Sequence, residues 1–371
     1  MRAALVGLLA AVTGVLAATE LKLDDGLTVH EWGTFTSVAG ESGGSVSWNV
    51  LGCGSDLPRF VIRQGLRFKS ALPGTIRMET PVMYFYSGRE VKADVKVQFP
   101  QGTMTEWYPG TRSAPEKVGS VLGWSNIKVQ PGGSADFPIE KGGNRYYAAR
   151  STDAAPLTVG EQHEKFLFYR GVGSFQAPLS VRVSGYGRVT VENQAQASAP
   201  LAILFDNHDG RVRFSVVGSI EGTVAIEEPA VHSDTLAELR KTLEGGLVAQ
   251  GLFPKEAHAM LETWNDSWFE EGSRLIYLVP AGVVDEMLPL HVDPAPSEIA
   301  RVFLGRIELV TPETMRAVES AVARGDWAGV NRYGRFLEPI LRQVYPGNGA
   351  KIGEVESAVA KFRERRGAVC E

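Results

Sequence analysis

Cysteine is almost missing from this chain: two in 371 residues. Two cysteines cannot staple a chain of this length, so burial of apolar side chains has to hold it together. An excess of positive charge is missing too. Lys and Arg number 38 against 43 Asp and Glu, a net charge of −5, which leaves no electrostatic footprint for nucleic acid. After the first eighteen residues no apolar run nears the ~20 residues of a spanning helix, so the mature chain is expected to carry no transmembrane segment. There is no HExxH, no CxxC, no Walker loop and no dinucleotide fingerprint. These absences remove the zincin, redox-dithiol and nucleotide classes that announce themselves by spacing. What remains is 44% hydrophobic, enough for a packed core.

The opening residues, MRAALVGLLAAVTGVLAA, have one early arginine, an apolar run and small residues before position 19. That is the pattern of a secretory signal peptide over 1–18, cleaved near Ala17–Ala18. The expected location is therefore the periplasm or the exterior. Disulfides form there, so Cys53 and Cys370 are candidates for a bridge, with two free thiols as the alternative.

Residues 19–231 read as β-rich. Leu27 to Val38 is dense in Thr, Val and aromatics. Pro81 to Ser87 (PVMYFYS) is a second run. Val91, Ala93, Val95, Val97 and Phe99 alternate with Lys92, Asp94, Lys96 and Gln98, the pattern of a strand with one wet face. Thr103 to Tyr108 follows after a short turn, and three such runs in succession predict a meander. Asp209-Gly210 between two apolar runs predicts a hairpin rather than a calcium loop. From 232 the texture is helical, with Leu236, Leu239, Leu243 and Leu247 on one face and Pro254 and Pro312 at helix starts. Pro339 should bend or break a helix over 327–344. The expected fold class is α+β. An antiparallel, sandwich-like region over 19–231, open to a further division near 150–160, precedes a mainly helical domain over 232–371 with a few strands.

Several strings occur together: HEWGTFTSV at 30–38, METPVMYFYS at 78–87, TEWYPG at 105–110, EKFLFYRG at 164–171, ETWNDSWFEEG at 262–272 and RVFLGRIELVTPE at 301–313. The set resembles a family of secreted bacterial proteins of uncharacterised activity. The resemblance implies an extracytoplasmic protein of this length and transfers no ligand, activity or catalytic residue.

The candidate site residues come from the residues themselves. On an extended strand Glu31 shares a face with Leu27, Val29, Gly33 and Phe35, so its carboxylate points to the apolar side and needs a partner, a cation or a proton. Arg59, Arg63, Arg67, Arg77 and Arg170 are available for a buried ion pair. His163-Glu164 repeats the dipeptide His30-Glu31. One ligand from each pair, with Glu79 or Glu106 as a third, would make a divalent-metal site able to activate water. Tyr84, Phe85, Tyr86, Trp107 and Tyr108 offer an aromatic platform of the kind that stacks sugars or peptides. Two functions follow: an exported binding or scaffold protein whose partner is an envelope protein or glycan, and a metal-dependent hydrolase.

Overall fold

A computed structural model describes residues 26–50, 56–64, 73–111, 120–184, 188–227 and 236–366. The signal segment, Arg67, Cys53 and Cys370 lie outside the described residues. The fold is mixed α+β, with large sheets from the N-terminal region and helices mostly from the C-terminal part. No helix among the described residues is long and apolar enough to cross a membrane.

The centre is a nine-stranded sheet. Its strands, from edge to edge, are Arg211–Ile220, Ala199–His208, Gly272–Leu278, Glu298–Leu309, Thr28–Val38, Ile76–Tyr86, Leu167–Gly173, Gly102–Tyr108 and the short Ile62–Arg63. The three middle strands are buried nearly end to end. Both faces are covered, so these strands show no apolar–polar alternation, and the charged residues they carry, among them Glu31, Glu79, Arg301 and Arg306, are buried with the rest. The expected antiparallel character holds except at the middle, where Thr28–Val38 pairs in parallel with Glu298–Leu309. Two strands from beyond position 232 therefore lie inside the sheet built by the first half. The change of texture at 232 is real, but the sheet runs across it.

One face carries two smaller sheets. The five-stranded one includes Val91–Gln98 and Val121–Val129, and the three-stranded one includes Leu179–Val183 and Val189–Asn193. The alternating strand puts Val91, Ala93, Val95, Val97 and Phe99 into a core shared with Val29, Phe35, Met83 and Phe85 of the main sheet. The predicted meander does not form. Its first and third strands belong to the main sheet and its second to the smaller one, because a strand with one wet face is satisfied only in an outer layer. Leu167–Gly173 slots between the two that remain.

The opposite face is covered by helices. Leu236–Ala249 and Pro254–Trp268 bury Leu239, Leu243, Leu247, Met260, Leu261, Trp264 and Trp268 against Trp32, Val82, Tyr84 and Leu304. Helices Pro312–Arg324, Trp327–Asn331, Leu337–Val344 and Gly349–Arg366 form a third cluster around Trp48, Val50 and Val310. The stretch 327–344 does break, but ahead of Pro339. The proline occupies the first turn of Leu337–Val344, where its missing N–H and its ring cost nothing, and the preceding residues bend instead.

The hairpin at Asp209-Gly210 forms as expected, with both residues at positive φ. Its His208 lies 3.0 Å from Asp206 and 3.4 Å from Glu271. Burial disfavours the charged ring, yet hydrogen bonding to Asp206 and Glu271 outweighs it and lifts the pKa to about 10. A raised folded-state pKa stabilises fully below the unfolded value near 6.5, and that stabilisation is lost as pH rises through about 10. The gap in unfolding free energy between wild type and His208→Asn, measured by urea titration, should be constant below pH 6 and close between pH 6.5 and 10.

Gly33 is packed too closely for any side chain. A Cβ there would come within 2.6 Å of the Phe303 ring and 3.1 Å of the Pro81 backbone. Gly33→Ala should cost about 1–3 kcal/mol, as overpacking does, read from the urea midpoint at unchanged slope.

Candidate functional site

The strand Ile76–Tyr86 contains a proline in the middle of a sheet, which a regular ladder does not accept. A β-bulge accommodates it. Trp32 pairs with Val82 and Thr34 with Glu79, so Gly33 alone faces both Thr80 and Pro81. The register with Leu167–Gly173 jumps at the same place, between Phe168 and Gly171. Thr80 takes φ 49°, a left-handed value that a β-branched residue rarely adopts. It is 1% exposed, and its hydroxyl has no hydrogen-bond partner among the described residues. Strain of this kind and an unpaired buried hydroxyl both cost energy, and both concentrate at working sites.

Thr80 lines a cleft near the Ile62–Arg63 edge of the sheet. Leu57, Phe60, Val82, Tyr108, Phe166 and Phe168 form its apolar walls, and Tyr147, Arg150 and Glu164 contribute its polar lining. The 3-10 helix Arg145–Arg150 forms one side. Asn144 caps it through the Tyr146 N–H, and the Tyr84 hydroxyl donates to the Ala149 carbonyl at 2.7 Å. Water-sized centres have about 30 Å³ of room in the cleft. One water needs roughly 10–15 Å³ on this measure, so a small group fits and a whole ligand does not.

Charge at the cleft is already answered. Arg150 donates to both oxygens of Glu164, at 2.9 and 2.6 Å. Arg170, 2% exposed, donates to Asp56 at 3.0 Å and to the Tyr146 hydroxyl, which in turn donates to Asp56. Burial opposes ionisation of Asp56, but Arg170 and Arg145 hold its carboxyl far below the ordinary range. Burial and, second, Glu164 push the Tyr108 phenol up to about 12, so it stays protonated at neutral pH.

The six residues singled out from the sequence do not meet. Among the described residues no group of three His, Cys, Asp or Glu is placed to hold a metal. Glu31 and His30 occupy opposite faces, as strand geometry requires. Glu31 is buried as expected, but the arginine that answers it is not among Arg59, Arg63, Arg77 and Arg170. Arg301, its neighbour across the parallel pair, donates to it at 2.7 Å, and the Tyr169 hydroxyl donates to its other oxygen. His30 Nδ1 meets Glu256 at 2.8 Å. Glu256 also accepts from the Tyr86 hydroxyl and the Phe253 N–H, which clamps the first turn of Pro254–Trp268. Glu79 takes both its bonds from Arg335, at 2.8 and 2.9 Å. Glu106 accepts from Thr105 and lies cross-strand from Arg170. His163 pairs with Thr158 at 3.0 Å. Of the six, Glu164 alone lines the cleft. Tyr108 is the member of the expected aromatic platform that does so, since the intervening strand separates the platform's two halves.

Two short strings match hydrolase spacings, Gly40–Gly44 (GESGG) and Ser125–Lys128 (SNIK). The first is a turn joining strands, not the strand-to-helix elbow that the motif needs. The second lies at a β-bulge in the strand Val121–Val129, which leaves Ser125 and Lys128 both exposed on its wet face, and neither lines the cleft.

No protein-family model matches the sequence, and no curated protein matches it. Two solved structures of a yeast delta-COP-I mu-homology domain, one in complex with a WxWxV peptide, are 9% identical and cover 77% of this chain and 98% and 96% of theirs, with TM-scores of 0.31 and 0.26. Scores this low carry neither fold nor function across.

The Glu79–Arg335 pair ties the C-terminal helices to the sheet. Burial raises the Glu79 carboxyl, but Arg335, Arg77 and Arg170 together bring it down to about 2. A depressed carboxyl stabilises above its unfolded value near 4.5 and loses that contribution as pH falls towards 2. Arg335→Ala should cost about 3–5 kcal/mol at pH 7, because it strands a buried charge. The double variant Glu79→Gln/Arg335→Met should cost less than either single change, and its acid unfolding between pH 4.5 and 2 should be shallower than that of wild type.

Proposed function

We propose that this chain is an exported binding or scaffold protein that works in the periplasm or outside the cell and holds part of an envelope protein or glycan in the cleft around Thr80. The observation that carries the reading is Thr80 itself. A strained, β-branched residue keeps a buried hydroxyl unpaired at an aromatic-walled cleft. A residue with only a packing role would sit there more cheaply as valine, or as glycine if the φ value were the sole demand. The surrounding ion pairs favour binding over chemistry. Arg150 is paired with Glu164 and Arg170 with Asp56, so these charged groups at and beside the cleft already answer one another. The leader-like start of the sequence supports export.

Mature protein fixed to beads and exposed to an envelope fraction should enrich a discrete protein or glycan. That species should be lost with the rim variant Phe60→Ala/Tyr147→Ala, whose residues are half-buried at the margin of the core. Equal enrichment by wild type and variant would remove the cleft from the function. Intact-mass measurement of the exported chain should show residues 1–18 gone.

A further inference from the structure

We propose that a second pocket takes an alkylammonium group: a primary ammonium on a short aliphatic stem, as in a lysine side chain or a free diamine. This pocket shares no lining residue with the Thr80 cleft.

It lies where three layers of the fold meet. The turn after the strand Thr28–Val38, the end of the strand Leu179–Val183 and the helices Pro312–Arg324 and Leu337–Val344 bound it. Water-sized centres have about 170 Å³ of room there, against about 30 Å³ in the cleft. One water needs roughly 10–15 Å³ on this measure, so a stem of about five carbons and its head group fit.

The walls select the charge. Val183, Val310, Pro312 and Met315 supply apolar surface, and Glu41 is the one charged residue in the lining. Glu41 is exposed, so a ligand can reach its carboxylate, and it has no ion pair among the described residues. Gln343 turns its amide nitrogen to the Ala39 carbonyl at 3.2 Å, which leaves its Oε1 open as an acceptor. The Ser184 hydroxyl is a third acceptor in the lining. An ammonium carries three N–H donors to meet them.

Other groups find no such match. No Lys, Arg or His lines the pocket to hold an anion. The helix Pro312–Arg324 begins there with a proline, which has no N–H, and the Thr311 side chain takes the N–H of Thr314. Arg182, next to Val183 in its strand, is outside the lining and donates to the Ser42 carbonyl at 3.2 Å. A quaternary ammonium or a guanidinium is best held against aromatic faces, and no aromatic ring lines the pocket. A neutral alkyl group would cover the apolar wall and leave the carboxylate unanswered.

Ligand-observed NMR titration of the full chain tests this with pentylammonium, pentanol and pentanoate, which share a stem and differ in charge. Pentylammonium should bind the tightest, and added salt should weaken it. Glu41→Gln keeps the size, removes the charge and should weaken pentylammonium between about twofold and tenfold. Glu41→Lys places an ammonium at the mouth and should bring pentylammonium binding to background. Position 41 is exposed in a turn, so both variants should melt within about 2 °C of wild type. Equal affinity for pentanol, affinity unmoved by Glu41→Lys in a folded protein, or no binding of pentylammonium would overturn the proposal. Cadaverine and Nα-acetyl-lysine methylamide separate the two sources. Binding of either that is lost in Glu41→Lys supports the pocket, the tighter of the two identifies the source, and binding of neither overturns the assignment.

Discussion

The parallel pairing of Thr28–Val38 with Glu298–Leu309 is the constraint on which the rest is built. It joins strands from near the two ends of the described chain at the centre of one sheet. Within that pair Glu31 lies beside Arg301, across 270 positions of sequence, with the Tyr169 hydroxyl on its second oxygen. A buried ion pair of this sort contributes little net stability against an apolar replacement, but it penalises misalignment heavily. A slip of one residue would send Glu31 to the helical face and His30 away from Glu256, so the register has one solution. An apolar sheet buried on both faces would specify it far less.

The bulge depends on that register. Gly33 can face two residues of the next strand only because the Phe303 ring and the Pro81 backbone fill the space where a side chain would be. The extra residue in the bulged strand takes Thr80 out of the ladder at the wall of the cleft. The sheet thus spends regularity at one point, and that point is where a ligand would meet it.

The arginines of the interior serve the helices as well as the carboxylates. Arg274 and Arg306, both fully buried, donate to the carbonyls of Ser267, Trp268, Glu270 and Glu271 beyond and at the end of Pro254–Trp268, and to Glu308. They satisfy carbonyls that the end of a helix leaves open and place positive charge at the negative end of its dipole. Glu256, held by His30 and Tyr86, does the converse at the start. The charges that looked like chemistry in isolation are the fastenings of a helix on a sheet, and the cleft beside them is left neutral.

Local pattern determined what local physics can determine. Alternation gave the wet strand at 91–98, Asp209-Gly210 gave the hairpin, and the leucine spacing with Pro254 and Pro312 gave the helices. The inward direction of Glu31 was also legible, since side chains alternate strictly along a strand. The identity of its partner was not, because Arg301 is adjacent only once a parallel register is chosen, and nothing in either segment announces that choice. The same holds for the alternation of the 76–108 strands between two layers, and for the separation of Glu79, Glu106 and His163 from one another. Thr80-Pro81 did carry a signal, a proline inside a buried run, which marks a bulge. Which residue it would free, and that Phe166, Phe168 and Tyr108 would close around it, was decided by packing between segments far apart in the chain, where no short-range preference reaches.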